Sequence, residues 1–573
     1  MAFQLSPGVN VSEIDLTTVV PSVSTTAGAF AGNFTWGPAQ KIILIPDEVT
    51  LVQNFGVPNS TSATSFFTAA SFLAYGNNLS VVRAVGAASK NADANTAGST
   101  LTDVQIANKD VFQASYLNNT NGNKQGPFVA RYPGTLGNSL TISVVDAGSY
   151  TTGWTASGVS LANYFNGAPN TSVQAVNVGG INDEMHIAVI DSGGLFTGTK
   201  NTVLETFAYV SKGIDAVSPL GGTNYYKNVI FNNSKYIYAI DPPDYANTVN
   251  SWGSSLAGKA FVNLVTPSTS TLSGGTDVSA SEAELEAAYG LFTNKETTDI
   301  SLVLTGDASA NVQQYVIDNV VNSRADCVAF ISPPQSAVVN QAGNETTNIQ
   351  TWLTALSRSS SYAVADSGWK YMLDKYNNTY RWIPLNGDIA GLCVNTDTIR
   401  DPWFSPAGLN RGAIKNVIKL AWNPNKTYRD VLYSAGVNPV VSFPGQGTVL
   451  FGDKTLQAKP SAFDRINVRR LFIVLEKAIA KAAQYSLFEF NDDFTRAQFV
   501  ALVTPFLRDV KGRRGITDFM VVCDTTNNTP QVIDTNRFVG DIYIKPARSI
   551  NFIQLNFVAV GTGVDFTTVV GKF

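Results

Sequence analysis

The sequence changes texture twice, and that pattern limits the available folds more than any other feature. From Pro7 to about Val85 it reads as alternating strands and helices. Lys41 to Ile45 is an apolar run suited to a buried strand, Ser62 to Tyr75 has helical spacing through Phe66, Phe67, Ala70 and Leu73, and Ser80 to Val85 returns as a strand. Gly76-Asn77 supplies the helix stop. A strand-helix-strand unit of this kind belongs in a sheet covered by helices. From about Gly86 to Ser323 the residues shift to Asn, Thr, Ser and Gly, with short alternating segments such as Leu140 to Val145 and Met185 to Ile190. That stretch predicts a mostly β, peripheral region. From Arg324 onward helices and basic residues return. At ~100 to 200 residues per domain, the 573 residues hold about three to five domains. The expected fold class is therefore α+β and multi-domain, with a mixed α/β core built from the N- and C-terminal parts of the chain and a β-rich domain inserted between them.

Only 14% of the residues are charged, against roughly 25% in an average soluble protein, so neutral Asn, Thr and Ser cover much of the surface. Such a surface repels its own copies weakly, which favours packing between subunits. The net charge of −4 divides unevenly: residues 1–359 carry 14 Lys+Arg against 25 Asp+Glu (−11), and residues 360–573 carry 25 against 18 (+7). The positive excess is too dilute for a nucleic-acid footprint, so protein partners are expected and nucleic acid is not. Met1 to Pro7 lacks the basic flank and apolar run of a signal peptide, and no run of about 18 apolar residues occurs, so no membrane insertion is expected. Cys327, Cys393 and Cys523 are odd in number and far apart; they read as small buried hydrophobes of a protein folded in a reducing compartment.

The sequence is equally restrictive about catalysis. His186 is the only histidine and lies in a Gly/Asn-rich region with no Cys nearby, so zinc sites and Ser-His-Asp arrangements would all depend on it. Asp492-Asp493 and Asp183-Glu184 adjoin turns and read as helix-start or loop residues. Gly445-Gln-Gly447 and Gly561-Thr-Gly563 are the nearest approaches to a nucleotide fingerprint, and neither opens a helix within a strand-helix-strand unit. No catalytic residue, cofactor or metal site is expected, and the protein does not read as an enzyme.

The clearest helix runs from Asn467 to Tyr485. Val468, Leu471, Phe472, Leu475, Ile479 and Ala482 form its apolar stripe, and Arg469, Arg470, Glu476, Lys477 and Lys481 occupy the rest, which predicts a basic exposed face. A second helix, roughly Phe494 to Leu507, starts after Asp492-Asp493 and carries Pro505 in its last turn, where it is expected to end. Both chain ends look like strands without a local hairpin mate. Val9, Val11, Ile14 and Leu16 mark the first, and Val564, Phe566 and Val569 the second, beyond an alternating stretch from Ile553 to Ala559. Such β-prone arms suit strand addition to neighbouring sheets; pairing within the subunit is the alternative.

Several motifs resemble the tail sheath proteins of contractile-tailed bacteriophages. At the start these are Ser6-Pro7-Gly8-Val9-x-Val11-x-Glu13, Trp36-Gly37-Pro38, Phe55-Gly56 and Tyr75-Gly76-Asn77-x-Leu79-x-Val81-Val82-Arg83. Tyr132-Pro133-Gly134 follows. Further on come Ser405-Pro406-Ala407-Gly408 with Arg411-Gly412, Phe451-Gly452-Asp453-Lys454-Thr455, Phe463-Asp464-Arg465-Ile466-Asn467-Val468-Arg469-Arg470-Leu471 and Pro546-Ala547-Arg548-Ser549-Ile550-Asn551. The resemblance fades between about Gly86 and Pro127 and stays weak to about Gly274. It implies an arm over 1–22, a first part of the core over 23–85, an outer domain over 86–323, a second part of the core over 324–454, an inner C-terminal domain over 455–559 and an arm over 560–573.

As the resemblance implies, subunits stack as hexameric rings in a helical polymer around a tail tube, and the polymer contracts to drive the tube through the host envelope for genome delivery. The implied partners are further copies of the chain, the tube protein, the baseplate and the tail terminator. The implied location is the virion tail, assembled in the host cytoplasm. Arg469, Arg470, Lys477 and Lys481 are the candidate tube-facing residues. The sheath of a headless contractile injection particle and, more remotely, a surface-layer or adhesin protein are the alternative readings.

Overall fold

A seven-stranded sheet organises the molecule, with Gly28–Asn33 as the strand that joins distant parts of the chain. In the computed structural model, which describes residues 23–94, 104–117, 126–242, 251–551 and 553–555, this strand pairs in parallel with Leu79–Ala84 on one side and Leu302–Leu304 on the other. Beyond Leu302–Leu304 the sheet continues in parallel through Val328–Ile331, Ala363–Asp366 and Val437–Asn438. Ile42–Ile45 closes the opposite edge, antiparallel to Leu79–Ala84. The central strands are buried on both faces, which is why they read as unbroken apolar runs. On one face Phe66, Phe67 and Phe72 of the helix Ala63–Leu73 and Ile389 and Leu392 of the helix Asn386–Ile399 pack against Phe30, Val81, Leu304 and Phe330. On the other, Tyr289, Val312, Val316 and Val320 pack against Ala29, Ala31, Val82 and Ala329. The first two helices approach closely because Gly387 and Gly391 carry no side chain. A methyl group at Gly387 would lie 2.5 Å from the Thr68 carbonyl oxygen.

The core is thus built from both ends of the chain, as expected, but it resumes earlier than the expected 324. Leu302–Leu304 lies at the middle of the sheet and Glu282–Gly290 packs on it, so both belong to the core and not to the insertion. A three-residue strand buried on both faces offers no alternation to read.

The inserted region folds on its own four-stranded antiparallel sheet, in the order Ser268–Thr271, Leu140–Asp146, Glu184–Asp191, Thr202–Ser211. His186 is buried there: its Nδ1 accepts from the Tyr209 N–H and its ring stacks on Phe165, 4.3 Å between centroids. Burial holds its pKa below the ordinary histidine value. Arg83 fastens the insertion to the core. Its buried guanidinium donates to the carbonyls of Phe34 and Gly37 at 2.9 Å and of Pro133 at 2.8 Å, which brings three of the motifs noted above to one point.

The C-terminal part packs the helices Ile466–Ala483 and Asp493–Gly512 against a hairpin, Ile516–Val522 with Asp541–Pro546. Leu471, Leu475, Val503, Leu507, Val510 and Ile516 form its core. The second helix does not end in the turn of Pro505, at about Leu507, but runs to Gly512. The proline deprives only Ala501 of a backbone partner, and that residue is exposed to solvent, while Leu507 and Val510 beyond it are buried and hold the extra turns in place. The three cysteines are free and buried.

Asp366, at the end of its strand, is buried without a cationic partner among the described residues and accepts from Ser332 Oγ at 2.6 Å and the Gly368 N–H at 2.8 Å. Burial pushes its pKa up to about 8. A carboxyl raised above its unfolded value contributes stability that is complete below the unfolded pKa, about 4, and fades as pH rises toward 8. Asp366→Asn is therefore expected to flatten the fall in denaturation midpoint between pH 5 and pH 8. An unchanged slope would show that Asp366 is ionised in the folded protein.

Candidate interaction surfaces

The helix Ile466–Ala483 forms where predicted to within two residues, but its surroundings differ from the expectation. Ile466 to Leu471 are all buried, and only Glu476, Ala480 and Lys481 are exposed. The expected basic exposed face is therefore corrected: the first half of the helix is enclosed on all sides, and its cations are used within the subunit. Arg469 lies over the rings of Phe463 and Tyr362, at 4.0 and 4.2 Å, and donates to Ser361 Oγ at 2.8 Å. Arg470 grips Asp397 with two parallel hydrogen bonds of 2.8 and 2.6 Å and reaches the Thr25 carbonyl at 3.3 Å. Lys477 donates to Asp299 at 2.9 Å and the Ile300 carbonyl at 2.8 Å. Lys477 is half-buried, and of the four only Lys481 is exposed. The carboxylates responsible lie 73 and 178 residues away along the chain, so no local pattern announces them.

Val9, Val11, Ile14, Leu16, Val564, Phe566 and Val569 lie outside the described residues. At their roots, Val23 packs near Ala478 and Ala482, while Ile553 and Leu555 are exposed. The hairpin Ile516–Val522/Asp541–Pro546 pairs only with itself among the described residues, leaving both long edges open. The two C-terminal helices meet at a corner where Tyr485, Leu487, Phe488, Phe490 and Phe494 stand in solvent, Phe488 completely. Such a concentration of exposed apolar side chains marks an interaction site. The sequence carried the signal, five large apolar residues within ten positions among Glu489, Asp492 and Asp493.

The carboxylate pairs have structural duties. Asp492 caps its helix by accepting from the Thr495 N–H at 2.8 Å, and Asp493 pairs with Arg496. Asp183 accepts from Ser172 and Ser211, and Glu184 from the Asn170 N–H. Gly445 and Gly447 shape a β-hairpin turn.

Four motifs meet at a cleft between the core and the C-terminal part. Asp453 is the hub: Ser549 Oγ donates to it at 2.8 Å, Tyr433 OH at 3.1 Å, and Arg465 lies 3.4 Å away. Asn551 donates to Tyr433 OH at 2.7 Å. Ser405, Ala407, Gly408 and Arg411 line the same space. These geometries describe a building block whose chemistry lies in its surfaces.

Comparisons agree. Residues 25–84 match the tail sheath protein Gp18 domain III N-terminal region, 301–456 the phage tail sheath protein central domain and 458–559 the phage tail sheath C-terminal domain. The chain is 36% identical to the tail sheath protein of Vibrio phage KVP40, covering 99% of this chain and 100% of that one. It is 34% identical to that of Enterobacteria phage T4, covering 99% of each. Among solved structures, the sheath tail protein of Listeria innocua shares the fold with a TM-score of 0.52 and 10% identity, over 92% of this chain and 96% of that one. The chain belongs to the phage tail sheath family, structural proteins of the contractile tail.

Proposed function

We propose that the subunit polymerises as stacked hexameric rings around the tail tube and contracts to drive that tube through the host envelope, with its two ends serving as arms that add strands to neighbouring subunits. The observation that carries this reading is the C-terminal hairpin with both edges open, on a chain whose two ends alternate apolar and polar residues. Open edges are templates for strand addition, and the main-chain ladder supplies affinity while side chains set register. A tethered strand keeps its ladder while the domain that bears it turns, which suits a machine that stores free energy in subunit packing and releases it by rigid-body movement. The tube, the baseplate and the terminator are the partners proposed, in a virion tail assembled in the host cytoplasm.

For the tube-facing surface, Lys481 and the exposed aromatic corner beside it replace the buried Arg469 and Arg470 and the half-buried, internally paired Lys477. The inserted region, joined to the core at Arg83 and at the start of the 282–290 helix, is proposed as the outer decoration. Negative-stain microscopy of the purified protein should show long hollow cylinders or rings. A monodisperse monomer at high concentration would overturn the proposal.

A further inference from the structure

The turn between the two C-terminal helices, Gln484 to Asn491, bears two costs that folding does not explain. Phe488 is fully exposed, and its φ of 70° lies in the left-handed region, where a bulky side chain is strained. Glycine at this place would remove both costs, so a phenylalanine points to a use outside the subunit. Tyr485, Leu487, Phe490 and Phe494 stand in solvent around it. The base of the turn is nevertheless fixed. Asn491 donates to the Arg537 carbonyl at 2.8 Å and to Asn528 Oδ1 at 3.1 Å, and the buried Arg496 donates to Asn491 Oδ1 at 2.7 Å. Asn528, itself buried, donates to the Val539 carbonyl and accepts from the Val539 N–H. Rings held on such a base lose little freedom on binding.

Position and charge define what the turn can meet. The second helix, 20 residues long, carries it roughly 30 Å from the joint with the core, where Trp403 Nε1–H donates to the Arg513 carbonyl. The turn is the far end of the C-terminal part. Its rim is acidic: Glu489, Asp492 and Asp493 are exposed, and among the described residues only Asp493 of the three forms an ion pair, with Arg496. We propose that the turn is a preformed aromatic plug, with Phe488 as its anchor, which seats in an apolar pocket of the tube protein rimmed by Lys or Arg. The proposal rests on the tube-facing reading above and adds the anchor residue and the chemistry of the surface that receives it. Buried aromatic anchors carry most of the affinity of such a contact, while rim charges set approach and register. A plug that leaves its pocket whole requires no rearrangement inside the sheath subunit when the contact breaks.

Phe488→Gly in the full-length chain separates binding from folding. Glycine relieves the left-handed backbone, so the thermal midpoint should hold or rise. The subunit concentration needed to coat isolated tail tubes should nevertheless increase about thirtyfold, the effect of losing one anchor residue. Glu489→Lys should slow coating at low salt and lose that effect at high salt. A benzophenone attached at Phe488→Cys should cross-link to the tube protein when coated tubes are illuminated; the native cysteines are buried and do not compete. A cross-link to a second sheath subunit instead would overturn both the plug and the tube-facing reading of this corner. Cross-linking to the tube combined with normal coating by Phe488→Gly would overturn the plug and leave that reading standing. So would a cross-link that forms from Lys481→Cys and not from Phe488→Cys. If Glu489→Lys speeds coating at low salt, the rim of the pocket is acidic and the stated chemistry is wrong.

Discussion

Arg470→Met is expected to cost about 3 to 5 kcal/mol of stability, the usual consequence of removing one partner from a buried ion pair. Asp397 would be left as an unpaired carboxylate with its side chain 5% exposed. The pair also joins three parts of the chain: Arg470 comes from the first C-terminal helix, Asp397 from the core helix Asn386–Ile399, and the Thr25 carbonyl at the root of the N-terminal arm receives the same guanidinium. Asp397→Asn should be similarly damaging, because it leaves the guanidinium without its counter-charge in a closed space. Replacing both, Arg470→Met with Asp397→Leu, should recover most of the loss, since paired burial of charge contributes little beyond an apolar pair of similar volume. Denaturant titrations of the three variants give the cycle. A single-variant loss below about 1 kcal/mol would mean that water reaches the pair and that it behaves as a surface bridge.

Local patterns in the sequence carried much of this architecture. The strand-helix-strand unit over residues 41–85 and the Ile466–Ala483 helix appear within a residue or two of expectation because their periodicity depends only on near neighbours. What escaped the sequence is set by distant contacts. Leu302–Leu304 sits in the middle of the core sheet, yet three apolar residues in a Thr/Ser-rich setting do not distinguish a strand from a loop. Pro505 is tolerated because the following turns are held by burial, and propensity yields to packing. The cations of the basic helix were visible as charges but not as partners, since Asp397 and Asp299 meet them only after folding. The cleft around Asp453 is the opposite case, because Arg411, Asp453, Arg465 and Ser549 stand in four separate motifs and only the fold brings them together.

Deleting residues 1–20, or everything after Val560, is expected to leave a soluble folded subunit that no longer polymerises. The buried apolar side chains of the described residues run from Ala27 to Cys523, so neither end is needed to complete the core observed. Each arm would instead contribute a strand's worth of interchain hydrogen bonds, and without them subunits keep only side-chain contacts across a charge-poor surface. The loss should be close to complete, because a helical polymer multiplies every weakened contact along its length. Circular dichroism and sedimentation distinguish the outcomes. A truncated chain that unfolds would show that its arm pairs at home, and the strand-exchange reading would fail for that end. A truncated chain that still builds normal cylinders would count equally against it. The two truncations also separate the arms from each other: if only the N-terminal deletion disperses the polymer, the open edges of the Ile516–Val522/Asp541–Pro546 hairpin need no second arm, and the N-terminal arm alone would hold neighbouring subunits together.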